Sequence, residues 1–253
     1  MLGTFLAALD QTIVATALPT IVGLTELAGL QLDPRSHARL LRLGLAFIRL
    51  VGQGGEMIVA MLNLTRVGHI VLTWGESLRW DDHRQRLYCV DCATQTLHWL
   101  DHGDPPLHSL SLPTMPAGVV LTNGERLVVC LDDGLYVVDP DAGTWELLAA
   151  YPKGMHGRAN DANADGSGNL ITGTLNVTRA PGASWWFSAV EGWRLLDDDI
   201  GNANGPVVID VNGQPTLVFA DTPARVVYAY PYNGEIGTIG ERFVLLDSAF
   251  PSA

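Results

Sequence analysis

Three polar residues recur at a nearly constant interval along the chain: Glu76, Asn160 and Asn204. The first two are 84 residues apart, which is two periods of 42, and the second step is 44 residues. Gly118 lies 42 residues after Glu76, at the repeat position between Glu76 and Asn160. Polar ligands that recur once per structural repeat converge on one axis, and carboxylate and amide oxygens suit hard divalent cations. The interval therefore predicts a metal site built from residues far apart in sequence.

The elements that must position these residues are short strands. Runs such as Leu87-Tyr-Cys-Val-Asp91 and Pro206-Val-Val-Ile-Asp210 are rich in β-branched and aromatic residues, and turn pairs such as Asn123-Gly124 and Asn212-Gly213 separate the runs. Helical crossovers are absent from this pattern, so the sequence predicts an all-β fold. A repeat of about 40–50 residues is typical of a β-propeller with four strands per blade. We predict four blades, over about residues 70–112, 113–156, 157–200 and 201–247, whose first strands line the channel.

Composition limits the classes of partner. The chain has 253 residues, of which 47% are hydrophobic, and its net charge is −12. Acidic residues outnumber basic ones by 27 to 15, which argues against a nucleic-acid partner and fits a soluble, cation-binding domain. The three cysteines include Cys89 and Cys92 at CxxC spacing, but this pair lies in a strand pattern rather than at the start of a helix. We therefore expect ordinary buried cysteines rather than a redox or zinc motif.

The first 60 residues differ from the rest. Residues 1–23 are apolar and about as long as one membrane span, and Leu9-Asp-Gln-Thr-Ile-Val-Ala-Thr-Ala-Leu-Pro19 resembles the first transmembrane helix of major facilitator drug:proton antiporters. Residues 37–51 predict a second helix that ends at Gly52-Gln-Gly-Gly55. We expect a foreign, fused helical segment over residues 1–60 and a propeller domain over residues 61–253, in a cytoplasmic protein. A membrane anchor formed by residues 1–23 is the alternative.

Four further segments, in this order and spacing, resemble the gluconolactonase/regucalcin-like family, the senescence marker protein group, over about residues 66–251. They are Gly75-Glu-Ser-Leu-Arg-Trp-Asp81 with Arg86-Leu-Tyr-Cys-Val-Asp91; Asp133-Gly-Leu-Tyr-Val-Val-Asp139; Gly157-Arg-Ala-Asn-Asp161 through Gly173-Thr-Leu175; and Asn204-Gly-Pro-Val-Val208 with Phe219-Ala-Asp221.

The resemblance implies a six-bladed propeller that holds one divalent cation, calcium or zinc, and hydrolyses sugar lactones or related esters. By motif, Glu76 and Asn204 correspond to metal ligands, and Arg158 and Asn160 to substrate-binding residues. A cation in such a site polarises a carbonyl and lowers the pKa of a bound water, while an arginine can hold the developing oxyanion or a sugar hydroxyl.

Three features depart from the family pattern. Where the family carries Pro-Asp-Gly, about 50 residues after Asn204, the chain reads Pro251-Ser252-Ala253. Ser252 thus replaces the expected third ligand and base, and the catalytic residue stays unassigned. No acidic residue follows Gly173-Thr-Leu175 closely, as one does in the family. About two of six blades are absent, so we expect an incomplete, C-terminally truncated propeller whose open edges favour self-association.

Two functions remain open from the sequence. One is a metal-dependent lactonase whose activity the missing Asp impairs; the other is a catalytically inactive metal-binding or interaction module. Single residues also have structural alternatives. Asn204-Gly205 is a common turn pair, His156 fits a loop better than a base, and Asp221 fits a structural role at a strand end. Asp165-Gly-Ser-Gly168 resembles a calcium loop but is interpreted as a hairpin turn.

Overall fold

A computed structural model describes residues 45–51, 57–63, 71–102, 106–175 and 181–247; for 45–51, 57–63 and the last two residues only the backbone is described. The described residues belong to two compact units, one formed by residues 72–247 and the other containing the strands of 45–63. All regular elements among them are β-strands. No helix in this part of the chain is long and apolar enough to cross a membrane.

The smaller unit contains an antiparallel hairpin. Strand β1 (Leu45–Val51) pairs along its whole length with β2 (Met57–Asn63). The predicted helix over residues 37–51 is therefore wrong for residues 45–51. The strand contains β-branched and aromatic residues, in Ala46-Phe-Ile-Arg-Leu-Val51. Pairing with β2 provides the backbone hydrogen bonds that a helix would otherwise provide, so the strand forms despite the helical pattern. Residues 37–44 and the predicted helix of residues 1–23 lie outside the described residues.

The larger unit contains four antiparallel sheets, each made of consecutive strands. This confirms the predicted all-β propeller with four blades. Blade 1 contains β3 (Gly75–Asp81), β4 (Arg86–Asp91), β5 (Thr96–Asp101) and β6 (His108–Ser111). Blade 2 contains β7 (Pro116–Val120), β8 (Leu127–Leu131), β9 (Gly134–Asp139) and β10 (Thr144–Ala150). Blade 3 contains β11 (Arg158–Ala164), β12 (Leu170–Leu175), β13 (Gly182–Ser188) and β14 (Gly192–Ile200). Blade 4 contains β15 (Ala203–Val211), β16 (Gln214–Asp221), β17 (Val226–Asn233), β18 (Thr238–Ile239) and β19 (Phe243–Asp247), the last two both pairing with β17.

Tight turns of the predicted chemistry join the strands. Asn212 and Gly213 both have positive φ, 54° and 82°, between β15 and β16. Such a turn matches the right-handed twist of the flanking strands, and Asn-Gly is its preferred pair. The segment Asp165-Gly-Ser-Gly168 likewise joins β11 to β12, and Asp165 accepts hydrogen bonds from the backbone N–H groups of Ser167 and Asn169 and from the Tyr232 hydroxyl. The hairpin interpretation of this segment is confirmed.

The core lies between blades rather than within one of them. Three buried clusters each join two neighbouring sheets: Tyr88 and Leu97 with Val129, then Cys130 and Leu135 with Phe187, and then Trp186 with Leu217 and Tyr230. Because each blade buries one face against the next, the inner strands β3, β7, β11 and β15 become neighbours around a common axis. That packing brings the first strands of the four repeats together.

Candidate functional site

All four inner strands carry an irregularity near their first residues. The pairing register shifts between Glu76 and Arg79 in β3, between Pro116 and Gly118 in β7, between Ala159 and Asp161 in β11, and between Asn204 and Val207 in β15. A β-bulge turns a side chain away from the regular alternation, and bulges are frequent beside functional sites. The repeating polar positions therefore coincide with a repeating backbone feature.

Asn160 and Asn204 are joined directly across blades 3 and 4. The Asn160 amide group donates to the Asn204 side-chain oxygen and, at 3.1 Å, to the Ala203 carbonyl oxygen. The Asn204 amide group donates in turn to the Thr222 hydroxyl. Asn204 is buried, so its amide atoms are shielded from water, and these partners provide the hydrogen bonds that water cannot. Both described hydrogen bonds of Asn160 use its N–H₂ group, which leaves its carbonyl oxygen for another partner.

Glu76 lies in an environment that disfavours its charge. Burial raises the pKa of its carboxyl above the ordinary value, and the negative charge of Asp161 raises it further. The Trp74 indole N–H, which donates to one Glu76 oxygen at 2.9 Å, and the Arg158 guanidinium act in the opposite direction. The net effect is a pKa above the ordinary carboxyl value, and a cation bound nearby would favour the ionised form of Glu76.

Arg158 stands over the Trp74 indole, with its guanidinium carbon 5.0 Å from the ring centroid. One of its terminal nitrogens donates to the Ala159 carbonyl oxygen at 3.1 Å. Its charge also acts on Asp132, whose pKa is raised chiefly by burial and lowered in part by Arg158. Arg158 is therefore a partly buried cation whose charge acts on two carboxylates, Glu76 and Asp132.

Two residues of the quoted motifs, Arg79 and Asp161, form a pair that the sequence does not predict. Asp161 accepts hydrogen bonds from the Gly205 N–H at 2.9 Å and the Ala162 N–H at 2.8 Å, and it contacts Arg79 at 3.4 Å. Arg79 also donates to the carbonyl oxygens of Val119, at 3.2 Å, and Ala162, at 2.9 Å. Together they connect the inner strands of all four blades. The sequence feature that could have identified Arg79 and Asp161 is their position, because each lies within three residues of a recurring polar residue.

The structure thus places Asn160 beside Asn204, and Glu76 beside Trp74 and within electrostatic reach of Arg158. Ser252, at the position expected for a third ligand, lies outside the described residues. Asp221 accepts from the backbone N–H groups of Gly201 and Asn202, at 2.9 and 3.2 Å, as a structural residue at the end of β16 would.

Cys89, Cys92 and Cys130 are free, buried thiols. Burial raises their pKa values, to about 11 for Cys89 and about 12 for the other two. They are therefore protonated at neutral pH and poor nucleophiles. The expectation of ordinary buried cysteines is confirmed.

The ligands predicted from the sequence are oxygen donors, the type that hard divalent cations bind. Within the described ranges, no three His, Cys, Asp or Glu side chains are grouped so that they could hold a metal ion. The ligands predicted from the sequence are of another kind, one carboxylate and one or two amide oxygens. Glu76 has one oxygen engaged by Trp74 and a second without a described hydrogen bond. Such oxygen ligands suit calcium more than softer metals.

Asp91, at the end of β4, ties the segment that precedes Glu76 to the sheet. It accepts hydrogen bonds from the N–H groups of Thr73 and Trp74, at 2.8 and 3.2 Å, and of Ala93 and Thr94, at 3.0 and 3.3 Å. Burial raises the pKa of the Asp91 carboxyl, but these backbone donors together outweigh burial and hold the pKa below its ordinary value. The ionised form therefore stabilises the folded chain.

We expect Asp91→Asn to lower the free energy of unfolding by about 1–3 kcal/mol at neutral pH, because backbone donors lose a charged acceptor. Since the pKa is lowered on folding, this contribution is present at pH values above the ordinary carboxyl pKa and is lost as the pH falls through the folded value. The difference between wild type and variant should shrink below about pH 4 in urea titrations. Asp198→Asn, at an exposed position, is the control; a pH-independent difference would contradict the prediction.

A family model for the SMP-30/gluconolactonase/LRE-like region matches residues 74–250. The chain belongs to this family. The resemblance inferred from the four motifs is thereby confirmed, and the matched range contains every blade described above. Among the relatives of known name, a 6-deoxy-6-sulfogluconolactonase of Pseudomonas putida is 31% identical over 185 residues, which are 69% of this chain and 60% of that protein. The pentonolactonase XacC of Haloferax volcanii is 29% identical over 188 residues, 72% of this chain and 62% of the relative.

Two solved structures have the same fold. A luciferin-regenerating enzyme superposes with a TM-score of 0.62 at 24% identity, over 70% of this chain and 61% of that one. A calcium-binding protein, regucalcin, from Agrobacterium tumefaciens superposes with a TM-score of 0.60 at 23% identity, over 70% and 60% of the two chains. At these identities the likeness establishes the fold alone. This member of the gluconolactonase-like family spans about three fifths of the length of the relatives that it matches.

Proposed function

We propose that the chain is a metal-dependent hydrolase of sugar lactones or related esters. One observation carries the proposal: Glu76, Arg158, Asn160 and Asn204 all lie at the bulged beginnings of inner strands, where Asn160 donates to Asn204 and the charge of Arg158 acts on Glu76. Two relatives that share this region are named as lactonases of sugar derivatives, which supports the same class of substrate.

Glu76 and Asn204 are the proposed metal ligands, with calcium or zinc as the ion. When bound, a divalent cation polarises the lactone carbonyl and lowers the pKa of a bound water. The other contributions come from the chain itself. The partly buried Glu76 carboxylate supplies the negative charge that attracts the ion, and the hydrogen bonds of Asn204 to Asn160 and Thr222 hold its amide in one orientation.

Arg158 and Asn160 are the proposed substrate-binding residues. Arg158 keeps N–H groups that no described hydrogen bond uses, and a guanidinium stabilises an oxygen on which negative charge develops. The free carbonyl oxygen of Asn160 can accept a hydrogen bond from a sugar hydroxyl. Both residues lie in β11, so their separation is set by a strand rather than by a loop.

A second candidate is a metal-binding or interaction module without catalysis. The observation in its favour concerns Asp161, the carboxylate whose charge acts on Glu76. Its oxygens are already engaged by the N–H groups of Ala162 and Gly205 and by Arg79, which leaves it poorly placed to accept a proton from water. On this reading the site holds an ion but lacks a base.

One experiment separates these two functions. The chain is treated with chelator, and proton release from gluconolactone and pentonolactones is followed before and after calcium or zinc is added, with calorimetry of ion binding in parallel. We expect ion addition to raise hydrolysis at least about tenfold above the metal-free protein. Ion binding with no hydrolysis of any lactone would favour the second candidate. Absence of both would refute the proposed function.

The division of the chain near residue 60, the cytoplasmic location and self-association also remain predictions.

A further inference from the structure

Trp74, the residue two positions before Glu76, contacts both halves of the proposed site. Its indole N–H donates to a Glu76 carboxylate oxygen at 2.9 Å. The same ring lies beneath the Arg158 guanidinium, whose carbon is 5.0 Å from the ring centroid. An indole offers these two interactions at different atoms, the N–H at its edge and the π system at its face.

Both backbone polar groups of Trp74 form hydrogen bonds. Its N–H donates to Asp91 at 3.2 Å, and its carbonyl oxygen accepts from the Cys92 N–H at 2.9 Å. The side chain also packs against the buried cluster shared by blades 1 and 2. A side chain anchored in this way can orient flexible neighbours with little loss of conformational entropy on binding.

We propose that Trp74 is the positioning residue that holds Glu76 and Arg158 in one geometry while keeping them from pairing with each other. This inference rests on the proposed function and adds a residue to it. Glu76 and Arg158 form no ion pair among the residues that the structure describes, although each lies against the same indole. A direct pair would use the carboxylate oxygen and the guanidinium N–H groups that cation and substrate need.

The arrangement has two separable consequences. The indole N–H occupies one oxygen of Glu76, so the other oxygen is the one presented to a cation. The ring face contacts the Arg158 guanidinium without accepting a described hydrogen bond from it, which leaves for substrate the N–H groups that do not bind the Ala159 carbonyl. Loss of the N–H should therefore affect ion binding, whereas loss of the face should affect the Michaelis constant for the lactone.

Two substitutions separate these consequences. Trp74→Phe keeps an aromatic face and removes the donor, whereas Trp74→Leu removes both. Trp80→Phe is a matched control, because the exposed Trp80 indole donates to Asp82 at 2.7 Å, another indole–carboxylate hydrogen bond. We expect Trp74→Phe to weaken calcium binding about tenfold in calorimetry with a small change in KM. Trp74→Leu should raise KM as well, and Trp80→Phe should change neither.

A second measurement does not depend on activity. A double-mutant cycle in urea unfolding combines Trp74→Leu with Arg158→Gln, and a parallel cycle uses Trp74→Phe. The first cycle should show a coupling of about two- to fivefold in the unfolding equilibrium constant, and the second a smaller one, since Phe retains a ring face. Zero coupling in the first cycle would overturn the proposal even if the protein hydrolyses lactones. Coupling in a protein that neither binds calcium nor hydrolyses lactones would uphold the positioning role and refute the proposed function.

Discussion

Replacing Glu76 with glutamine is expected to abolish measurable calcium binding and to lower lactone hydrolysis at least about a hundredfold. Residues that merely orient a metal ligand typically contribute ten- to a hundredfold, so loss of the charged ligand itself should reach the upper end of that range. Glutamine keeps the size of the side chain and an oxygen that can accept from the Trp74 indole, so the substitution removes little besides the charge.

The same substitution should leave the folded chain as stable as wild type or slightly more stable. Burial and Asp161 raise the pKa of Glu76, which means that the ionised form at neutral pH opposes folding rather than favouring it. The substitution therefore lowers activity while it maintains or raises stability, which is typical of a functional residue that destabilises the folded state. Calorimetry, a lactone assay and urea unfolding of one preparation measure all three quantities.

Glu146→Gln is the control for this experiment. Glu146 is an exposed residue of β10 whose carboxylate pairs at the surface with Arg126, at 3.1 Å. Its replacement should change neither calcium binding nor hydrolysis. Calcium affinity that persists in Glu76→Gln would show that Glu76 is not a ligand, whatever the activity of the variant.

The second large effect is expected at Arg79, and it concerns stability. Replacing Arg79 with methionine should lower the free energy of unfolding by about 3–5 kcal/mol, because it leaves the Asp161 charge without its partner in a largely buried position. The carbonyl oxygens of Val119 and Ala162 would lose a donor as well. Lysine cannot reproduce the planar set of donors, so Arg79→Lys should restore only part of the loss.

The pairing can be tested by removing both charges. Combining Arg79→Met with Asp161→Asn should cost less than the sum of the two single substitutions, because the second change removes the charge that the first leaves unpaired. Arg126→Met is the control, since the Arg126–Glu146 pair is exposed at both ends and should be worth about 0–1 kcal/mol. Urea unfolding measures each variant; strict additivity of the Arg79 and Asp161 changes would refute the coupling.

The sequence predicted the four blades correctly but not the strand at residues 45–51. The predicted blades agree with the four sheets because each strand has local signals at both ends, and Asn212-Gly213 adopts the two positive φ angles that its turn demands. For residues 45–51 the prediction of a helix failed. A short apolar run has no intrinsic preference strong enough to exclude a strand once a partner such as β2 is present.

The candidate site also contains residues that the sequence could identify and residues that it could not. Glu76, Arg158, Asn160 and Asn204 could be selected in advance because their spacing follows the repeat and their motifs match the family, and their roles as ligands and substrate contacts stay predictions. The Arg79–Asp161 pair could not be selected, because its two residues are 82 positions apart and nothing in either sequence neighbourhood indicates the other.

By itself the sequence determined the length of the repeat, the β-strand character of each repeat and the polar residues at the beginning of three inner strands. These features depend on side-chain alternation and turn chemistry, which act over a few residues. Tertiary structure alone decided which side chains meet: the Trp74 indole between Glu76 and Arg158, and the Arg79 guanidinium across the inner strands. Contacts of that kind depend on how one blade packs on the next, and such packing is a property of distant residues together.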